Sequence, residues 1–213
     1  SGRRQVKRKN LLSLFFPSSF IHFFLLYNRN TPLHLAIQSG SWDCVELLLS
    51  RGCDWMKEDR EGRASLHIAA FYGHGNVVEG LIRYGVPPGL VNSKNETALF
   101  EAIRKGDEDI SLLLLKLGVP IDTRDALGRT ALHIAVLSEE VNMVAIVLQA
   151  KDGAALLNAQ DLRGKTALHY AVASKNQLVC GYLLASGASR TIKDQQGQTP
   201  VEGCDNSIKH LLD

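Results

Sequence analysis

The sequence predicts an all-α fold, a solenoid of stacked helix-turn-helix units joined by β-hairpin-like loops. A six-residue pattern returns along the chain as TPLHLA, ASLHIA, TALFEA, TALHIA, TALHYA and TPVEGC, beginning at Thr31, Ala64, Thr97, Thr130, Thr166 and Thr199. Consecutive copies start 33 residues apart, or 36 in the case of the fourth and fifth. A fixed period in this range is typical of architectures in which each unit stacks on its neighbours.

The six copies resemble the repeats of ankyrin-repeat proteins, which carry a T-P-L-H-x-A signature. The resemblance covers roughly residues 30–213, with repeats starting near residues 31, 64, 97, 130, 166 and 199. It implies that each unit consists of a turn and two antiparallel helices. The sixth repeat is short, and we expect it to cap the C-terminal end of the array, where apolar surface would otherwise be exposed.

The first helix of each unit is predicted from the motif itself. Its threonine can accept a hydrogen bond from a free amide of the first turn, and proline suits the first helical position. A leucine and the alanine three residues later share one helical face, and the small alanine lets the next repeat approach closely. These pairs are Leu33 and Ala36, Leu66 and Ala69, Leu99 and Ala102, Leu132 and Ala135, and Leu168 and Ala171.

Four histidines share one motif position and raise the question of a metal site: His34, His67, His133 and His169. Packed helices lie about 8–10 Å apart, whereas the ligands of one zinc ion each lie about 2 Å from it. We therefore expect each imidazole to bond the backbone of the neighbouring turn. Phe100 stands at this position in the third repeat, so one link should be missing.

The second helix follows a glycine turn and is almost continuously apolar, for example VELLL at Val45 to Leu49. Such a segment suits a helix that is contacted on several sides. Two glycines inside these helices, Gly80 and Gly181, should each cost about 1 kcal/mol relative to alanine, and the sequence gives no reason for them. The cluster Asp107 to Asp109 is interpreted as capping of a helix N-terminus, which negative charge stabilises, in preference to a metal site.

Each unit ends in turns that the sequence also predicts. A glycine terminates each of the first three second helices and the fifth in the left-handed conformation, and D-x-x-G follows at a hairpin tip, where Asp bonds its own turn. The tip at Asn92 to Asn95 is a variant that asparagine tolerates. The fourth repeat holds three extra residues between Lys151 and Leu157, which lengthen either its second helix or its loop.

Residues 1–29 stand outside the repeat pattern. They hold five of the seven phenylalanines and six basic residues but no acid. As a signal peptide the segment lacks a small-residue cleavage site, and as a membrane anchor the run Leu11 to Tyr27 is short and interrupted by Pro17. Almost all of Leu11 to Leu26 is Phe, Leu, Ser or Pro, whose codons can begin with two pyrimidines. We interpret residues 1–29 as disordered or as intron sequence translated in error, with a membrane or targeting segment as the alternative. The chain also lacks an initiating methionine, which indicates a fragment.

Composition limits the function. The chain has a formal net charge of +2, yet without the first thirty residues 18 basic residues face 22 acidic ones, so nucleic-acid binding is not expected. Four cysteines without framework or ligand spacing indicate a reducing compartment. No catalytic grouping, phosphate-binding glycine loop or metal motif is present in the sequence. We therefore predict no enzyme activity, no cofactor and no metal.

Partner-binding residues are predicted at the hairpin tips and at the ends of the first helices, the positions that vary in ankyrin-like units. In this set basic side chains outnumber acidic ones, and Phe71 and Tyr72 supply adjacent aromatics, which are common interface anchors. The candidates are Arg60, Arg63, Phe71, Tyr72, Lys94, Arg104, Lys105, Leu127, Arg129, Leu137, Leu162, Arg163 and Lys165.

The expected function is a non-catalytic scaffold, cytoplasmic or nuclear, that binds another protein through its concave face. The basic candidates favour an acidic segment with an apolar or aromatic residue, and no oligomer is predicted. Two alternatives stay open. The array is the recognition arm of a larger enzyme such as a ubiquitin ligase or kinase, or it is membrane-tethered if residues 1–29 are genuine.

Overall fold

The computed structural model describes residues 30–202, and in this range the chain forms ten α-helices and one short 3-10 helix. The predictions about residues 1–29 and about the end of the sixth repeat lie outside the described residues. The α-helices are α1 (Pro32–Gln38), α2 (Trp42–Ser50), α3 (Ser65–Phe71), α4 (Gly75–Tyr84), α5 (Ala98–Lys105), α6 (Glu108–Lys116), α7 (Ala131–Leu137), α8 (Val141–Gln149), α9 (Ala167–Ala173) and α10 (Gln177–Ala185).

The helices pack in two layers. The first helices of the repeats, α1, α3, α5, α7 and α9, each contact the next, and so do the second helices, α2, α4, α6, α8 and α10. Within residues 30–202 extended backbone pairs in a single isolated bridge, between Val91 and Thr97. The predicted all-α fold of stacked helix-turn-helix units is confirmed.

The motif leucines form the centre of the core. All five of them, Leu33, Leu66, Leu99, Leu132 and Leu168, are fully buried. Four of the motif alanines, Ala69, Ala102, Ala135 and Ala171, are fully buried as well. Burying one leucine side chain contributes about 1.5–3 kcal/mol, so this row is a main source of stability.

The motif histidines link neighbouring repeats through the backbone. In the first repeat, His34 Nδ1 accepts the Thr31 N–H at 3.2 Å, and His34 Nε2 lies 2.9 Å from the Lys57 carbonyl oxygen. Because Nδ1 is an acceptor, Nε2 carries the proton and donates. The other links run from His67 to the Glu96 carbonyl, from His133 to Lys165 and from His169 to Gln198. The predicted role of the histidines is confirmed.

Two repeats depart from this arrangement. Phe100 is fully buried in the place of the third histidine, and the buried hydroxyl of Thr97 has no hydrogen-bond partner among residues 30–202. In the second repeat, Ala64 replaces the capping threonine, and the buried Nδ1 of His67 also lacks a partner in the described part of the chain. The missing link in the third repeat was predicted from the sequence.

The hairpin tips are built as expected. Asp59 Oδ1 accepts the N–H groups of Glu61 and Arg63, and the same pair of bonds recurs at Asp125, Asp161 and Asp194 and at the variant Asn92. Asn95 has a φ of 59°, so asparagine takes the left-handed position that glycine holds at the other tips. Local chemistry alone therefore defines these turns.

The packing of the second helices explains one of the two unexpected glycines. A Cβ on Gly80 would lie 2.3 Å from the Trp42 ring of the preceding repeat, whereas no atom of residues 30–202 lies within 4 Å of a Cβ on Gly181. Gly80 is therefore required by the indole that covers it. No contact within the described residues explains Gly181.

The remaining sequence features also have structural outcomes. Helix α8 ends at Gln149 and is followed by the 3-10 helix Gly153–Leu156, so the three extra residues lengthen the loop. The Asp107 carboxylate accepts the Ile110 N–H at 3.0 Å, which confirms the capping interpretation of the acidic cluster.

Candidate partner-binding surface

The thirteen predicted residues fall into two rows. The helix-end row lies where the first helices finish and comprises Phe71, Tyr72, Arg104, Lys105 and Leu137. The tip row lies at the hairpins and comprises Arg60, Arg63, Lys94, Leu127, Arg129, Leu162, Arg163 and Lys165. The first helices, with seven or eight residues each, separate the rows by about 10 Å at 1.5 Å per residue.

Phe71 connects the rows in the second repeat. The Arg63 guanidinium carbon lies 4.2 Å from the centre of its ring, and the Lys105 ammonium lies 4.8 Å from it. Both distances are within the range of cation–π attraction. Phe71 is partly buried by these neighbours, so its ring is already in contact with two cations.

Tyr72 is the more accessible of the two aromatics, with 42% of its surface exposed. Its ring packs edge-on against Phe71 and stacks on His74, whose centroid lies 6.3 Å away at an interplanar angle of 10°. His74 in turn bonds the Gln38 carbonyl of the preceding repeat through Nε2 at 2.9 Å. The Tyr72 ring is therefore held in place by its packing against Phe71 and His74.

Arg63 lies closer to the core than a tip residue was expected to lie. It is buried, and it pairs with Asp59 through Nε at 2.8 Å and through Nη2 at 2.7 Å. A further contact joins it to Glu61 at 3.3 Å. Its charge is thus balanced within its own hairpin.

Arg104 is also neutralised internally. It pairs with Glu96, whose side chain is buried, and with Glu101 at 3.3 Å. Burial raises the pKa of Glu101, while the Arg104 charge opposes that rise. Glu101 occupies the motif position held by Ile68 and Ile134 in the adjacent repeats, a substitution that was visible in the sequence but was not identified as part of the surface.

Three basic side chains of the tip row make no such pairs. Lys94, Arg163 and Lys165 have neither a salt bridge nor a side-chain hydrogen bond to any other residue in the described range 30–202. Arg129 differs, because it pairs with Asp125 at 2.7 Å and is largely covered. Arg60 is exposed at the hairpin tip of the second repeat.

Exposed leucines accompany these basic groups. Leu127 is 49% exposed, Leu137 is 43% exposed and Leu162 is 65% exposed. Leu127 and Leu162 belong to neighbouring tips that are joined by the bond from the Leu162 N–H to the Leu127 carbonyl at 3.0 Å. The structure thus brings together two exposed leucine residues that are 35 positions apart in the sequence.

A polar network lies below the hairpin tip of the fifth repeat, at Asp161 to Gly164. The Tyr170 hydroxyl donates to Asp161 Oδ2 at 2.6 Å, and the His133 ring packs edge-on against Tyr170. Burial and the bond to Asp161 raise the pKa of Tyr170 to about 12. Burial by itself would raise the pKa of Asp161, but the bond from Tyr170 and the backbone amides outweigh it and lower that pKa. The network fixes the tip that carries Leu162.

One feature of the opposite face was not predicted. An apolar groove of about 870 Å³ lies between α6, α8 and the lengthened loop, and its walls include Leu112, Leu115, Ile146 and Leu156. The 3-10 helix of the fourth repeat forms one side of this groove. Sequence reasoning located the insertion but not its conformation.

Two further searches cover residues 30–202. No helix in this range is long and apolar enough to cross a membrane. No group of three or more His, Cys, Asp or Glu side chains there is arranged to hold a metal ion.

Comparison with protein families adds the decisive observation. The profile described as "Ankyrin repeats (3 copies)" matches residues 8–90, 66–156 and 122–194. The chain belongs to the ankyrin-repeat family. The assignment agrees with the stacked helix pairs and with the capping threonine and histidine of the repeat motif.

Several known ankyrin-repeat proteins are similar to this chain. The B-cell lymphoma 3 protein homolog of Mus musculus is 33% identical over 178 residues, or 81% of this chain. The nuclear factor NF-kappa-B p105 subunit of Gallus gallus is 29% identical over 150 residues, or 68% of this chain. The crystal structure of the ankyrin repeat domain of Bcl-3, described as a unique member of the IkappaB protein family, superimposes with a TM-score of 0.75 at 28% identity, covering 91% of this chain and 90% of that one.

The chain spans only part of these relatives. It covers 39% of the mouse B-cell lymphoma 3 homolog and 15% of the chicken p105 subunit. It also matches 15% of the Arabidopsis thaliana potassium channel AKT2/3 at 32% identity. Sequences similar to this array therefore occur within longer proteins of different kinds.

Proposed function

We propose that this ankyrin-repeat chain is a non-catalytic scaffold that binds another protein through the surface between the helix-end row and the tip row. The observation that carries the proposal is the set of exposed apolar side chains on that surface, Tyr72, Leu127, Leu137 and Leu162. Rigid aromatic and aliphatic side chains of this kind anchor protein interfaces. A repeat array supports them on an extended and ordered face.

The partner we propose is an acidic segment that carries an apolar or aromatic residue. Lys94, Lys105, Arg163 and Lys165 lie among the exposed apolar groups, and none of them forms a salt bridge within the described residues. Opposite charge on the partner would steer the encounter and select among competitors more than it would set affinity.

We propose a cytoplasmic or nuclear location. Cys44, Cys53 and Cys180 are free cysteines, as expected in a reducing compartment. One relative is named a nuclear factor subunit, which supports the same proposal. If the array belongs to a larger enzyme or to a membrane protein, the same surface would be its recognition site.

The proposal is tested with the full chain of 213 residues as bait in a cell extract, followed by identification and purification of the retained protein. Its dissociation constant is then measured for the wild type and for Phe71→Ala combined with Tyr72→Ala. Because truncated anchors cost more than about 1 kcal/mol each, we expect affinity to fall by a factor of roughly ten or more.

A matched control separates this surface from any other exposed aromatic residue. Tyr84 at the end of α4 is 44% exposed, close to the value for Tyr72, but it lies on a second helix. Tyr84→Ala should leave the affinity unchanged. Equal affinities for the wild type and the Phe71 and Tyr72 variant, with both proteins folded by circular dichroism, would remove the aromatic pair from the proposal.

A further inference from the structure

Positive charge is distributed unevenly between the two rows. The helix-end row is followed at once by the starts of the second helices, where Glu108, Asp109, Glu139 and Glu140 are exposed. Its own Arg104 is paired with Glu96 and Glu101. The charges around Phe71 and Tyr72 are therefore mixed. Arg63 and Arg104 are paired with carboxylates. The Lys105 ammonium near the Phe71 ring forms no salt bridge within the described residues.

The tip row carries unpaired positive charge at the hairpins of the third and fifth repeats. Its aspartates, Asp125 and Asp161, are buried and accept backbone N–H groups of their own turns. Lys94, Arg163 and Lys165 form no salt bridge with any residue of the described range 30–202. This edge therefore presents net positive charge to a ligand. The resulting attraction acts over about one Debye length, roughly 8–10 Å.

The same edge presents apolar groups in a fixed arrangement. The Leu162 side chain rests on Gly128, where a Cβ would come within 3.0 Å of Leu162 Cγ. Backbone bonds join the successive tips, from the Ala126 N–H to the Lys94 carbonyl, from Leu162 to Leu127 and from Gln195 to Arg163. A surface held in this way loses little conformational freedom when a ligand binds.

We propose that one edge of the array binds the acidic residues and one apolar residue of the partner segment. This edge, here called the basic leucine edge, is formed by Lys94, Leu127, Leu162, Arg163 and Lys165. The inference rests on the proposed function and divides its surface. The edge supplies charge selection and an apolar contact, whereas Phe71 and Tyr72 supply a contact that does not depend on ligand charge.

The geometry also sets the length of the ligand. Stacked repeats are about 10 Å apart, so Lys94 and Arg163, which lie two tips apart, are separated by roughly 20 Å. An extended chain advances about 3.3 Å per residue. A segment of about six residues therefore spans the edge, with acidic residues on both sides of a central leucine.

The test uses fluorescein-labelled peptides of about eight residues and the full chain at about 0.05 M salt, where screening is weak. The probe EELEELEE is compared with KKLKKLKK and with EESEESEE by fluorescence polarisation. We expect binding of the acidic leucine probe, at least about fivefold weaker binding of the serine probe as an apolar anchor is lost, and no binding of the lysine probe.

Paired variants assign the binding to the edge. Leu127→Ser with Leu162→Ser, and separately Arg163→Gln with Lys165→Gln, should each weaken EELEELEE binding by about tenfold, as truncation of anchors does. The controls are Leu47→Ser with Leu112→Ser and Arg83→Gln with Lys116→Gln, exposed residues of the second helices, which should change nothing. Thermal melts within a few degrees of the wild type establish that every variant is folded.

Two results with the peptide probes would overturn the inference, and a third concerns the natural partner. One is a wild-type chain that fails to bind EELEELEE or binds it no better than KKLKKLKK. The other is equal loss of binding in the edge variants and in their second-helix controls. Loss of the natural partner in the Phe71 and Tyr72 variant, with the edge variants unaffected, would reject the edge and leave the proposed function intact. Retention of the partner in that variant, with loss in the edge variants, would reject the aromatic contact alone.

Discussion

At the scale of single residues, the capping position of the first helices shows how one side chain satisfies several buried groups. In the first, fourth and fifth repeats the threonine side chain accepts the backbone N–H of the histidine three residues later. The histidine side chain in turn accepts the backbone N–H of the threonine. In the second repeat Ala64 replaces the threonine, and Ser65 Oγ and His67 Nδ1 are both buried without hydrogen-bond partners within the described residues. Each such unsatisfied group costs free energy.

Replacing Ala64 with threonine should therefore stabilise the protein. A threonine N-cap is favoured over alanine by about 1 kcal/mol, and its hydroxyl can reach the imidazole as Thr130 and Thr166 do at 2.9 Å. We expect the free energy of unfolding, measured by urea denaturation, to rise by about 1 kcal/mol. An unchanged or reduced value would mean that the second repeat has adjusted its packing to the smaller residue.

A second residue-scale prediction concerns Glu101 and pH. Burial raises its folded pKa above 4.5, and the Arg104 charge only partly offsets this. The protonated form is therefore favoured in the folded state, so the group stabilises folding below the unfolded pKa, and this contribution is lost as the pH rises through the folded pKa. Glu101→Gln, which stays uncharged, should be more stable than the wild type at pH 7.

The pH dependence provides the check on Glu101. The difference in unfolding free energy between Glu101→Gln and the wild type should shrink as the pH falls and vanish below about pH 3, where the carboxyl is neutral in both states. A difference that grows on acidification would show that the ion pair with Arg104 outweighs desolvation. Arg104→Gln serves as the companion variant, because it removes the same ion pair from the other side.

At the scale of helices, the two glycines inside second helices make a matched pair. Both should cost about 1 kcal/mol relative to alanine by helix propensity. Gly80 lies under the Trp42 ring, and Gly181 has open space around it. The same substitution should therefore change stability in opposite directions at the two sites.

We expect Gly181→Ala to raise the unfolding free energy by about 1 kcal/mol. Gly80→Ala should lower it by about 1–3 kcal/mol, the usual cost of overpacking, because the added methyl group would overlap the indole. A double-mutant cycle with Trp42→Ala measures the contact directly, since Gly80→Ala should become favourable once the ring is gone. Equal effects of alanine at both sites would contradict the packing explanation.

At the scale of the whole molecule, the repeats are joined unequally. Between the fourth and fifth repeats, a histidine link from His133 to Lys165 and a backbone bond between the tips are both present. Between the third and fourth, Phe100 removes the histidine link. Between the second and third, the link from His67 to the Glu96 carbonyl is present. The tips of these two repeats are joined through the Glu58 side chain, which accepts the Ser93 N–H at 2.6 Å, instead of by a backbone bond.

Stability in a repeat array is close to the sum of repeat and interface terms, so protection against hydrogen exchange should follow these links. We expect the amides of α7 to α10 to exchange more slowly than those of α1 to α4, measured by native-state exchange at neutral pH. Replacing His133 with glutamine should reduce the difference, because it weakens the best-joined interface. Uniform protection along the array would show that helix packing dominates over the links.

The sequence by itself determined the architecture. The 33-residue period, the capping residues and the tip turns at Asp59 or Asn92 depend on neighbours within a few positions of the chain, so they can be read without a structure. The histidine links and the lost link at Phe100 followed from the same pattern, because one motif position faces the next repeat in every unit.

Only the tertiary structure decided which of the predicted surface residues are available. Arg63 and Arg104 are as basic as Arg163 in the sequence, yet their carboxylate partners lie within reach and balance their charge. The contact of Trp42 with Gly80, the burial of Glu101 and the apposition of Leu127 with Leu162 join different repeats or depend on their packing. Such contacts depend on side-chain reach and on the stacking of one repeat against the next, which a local pattern does not encode.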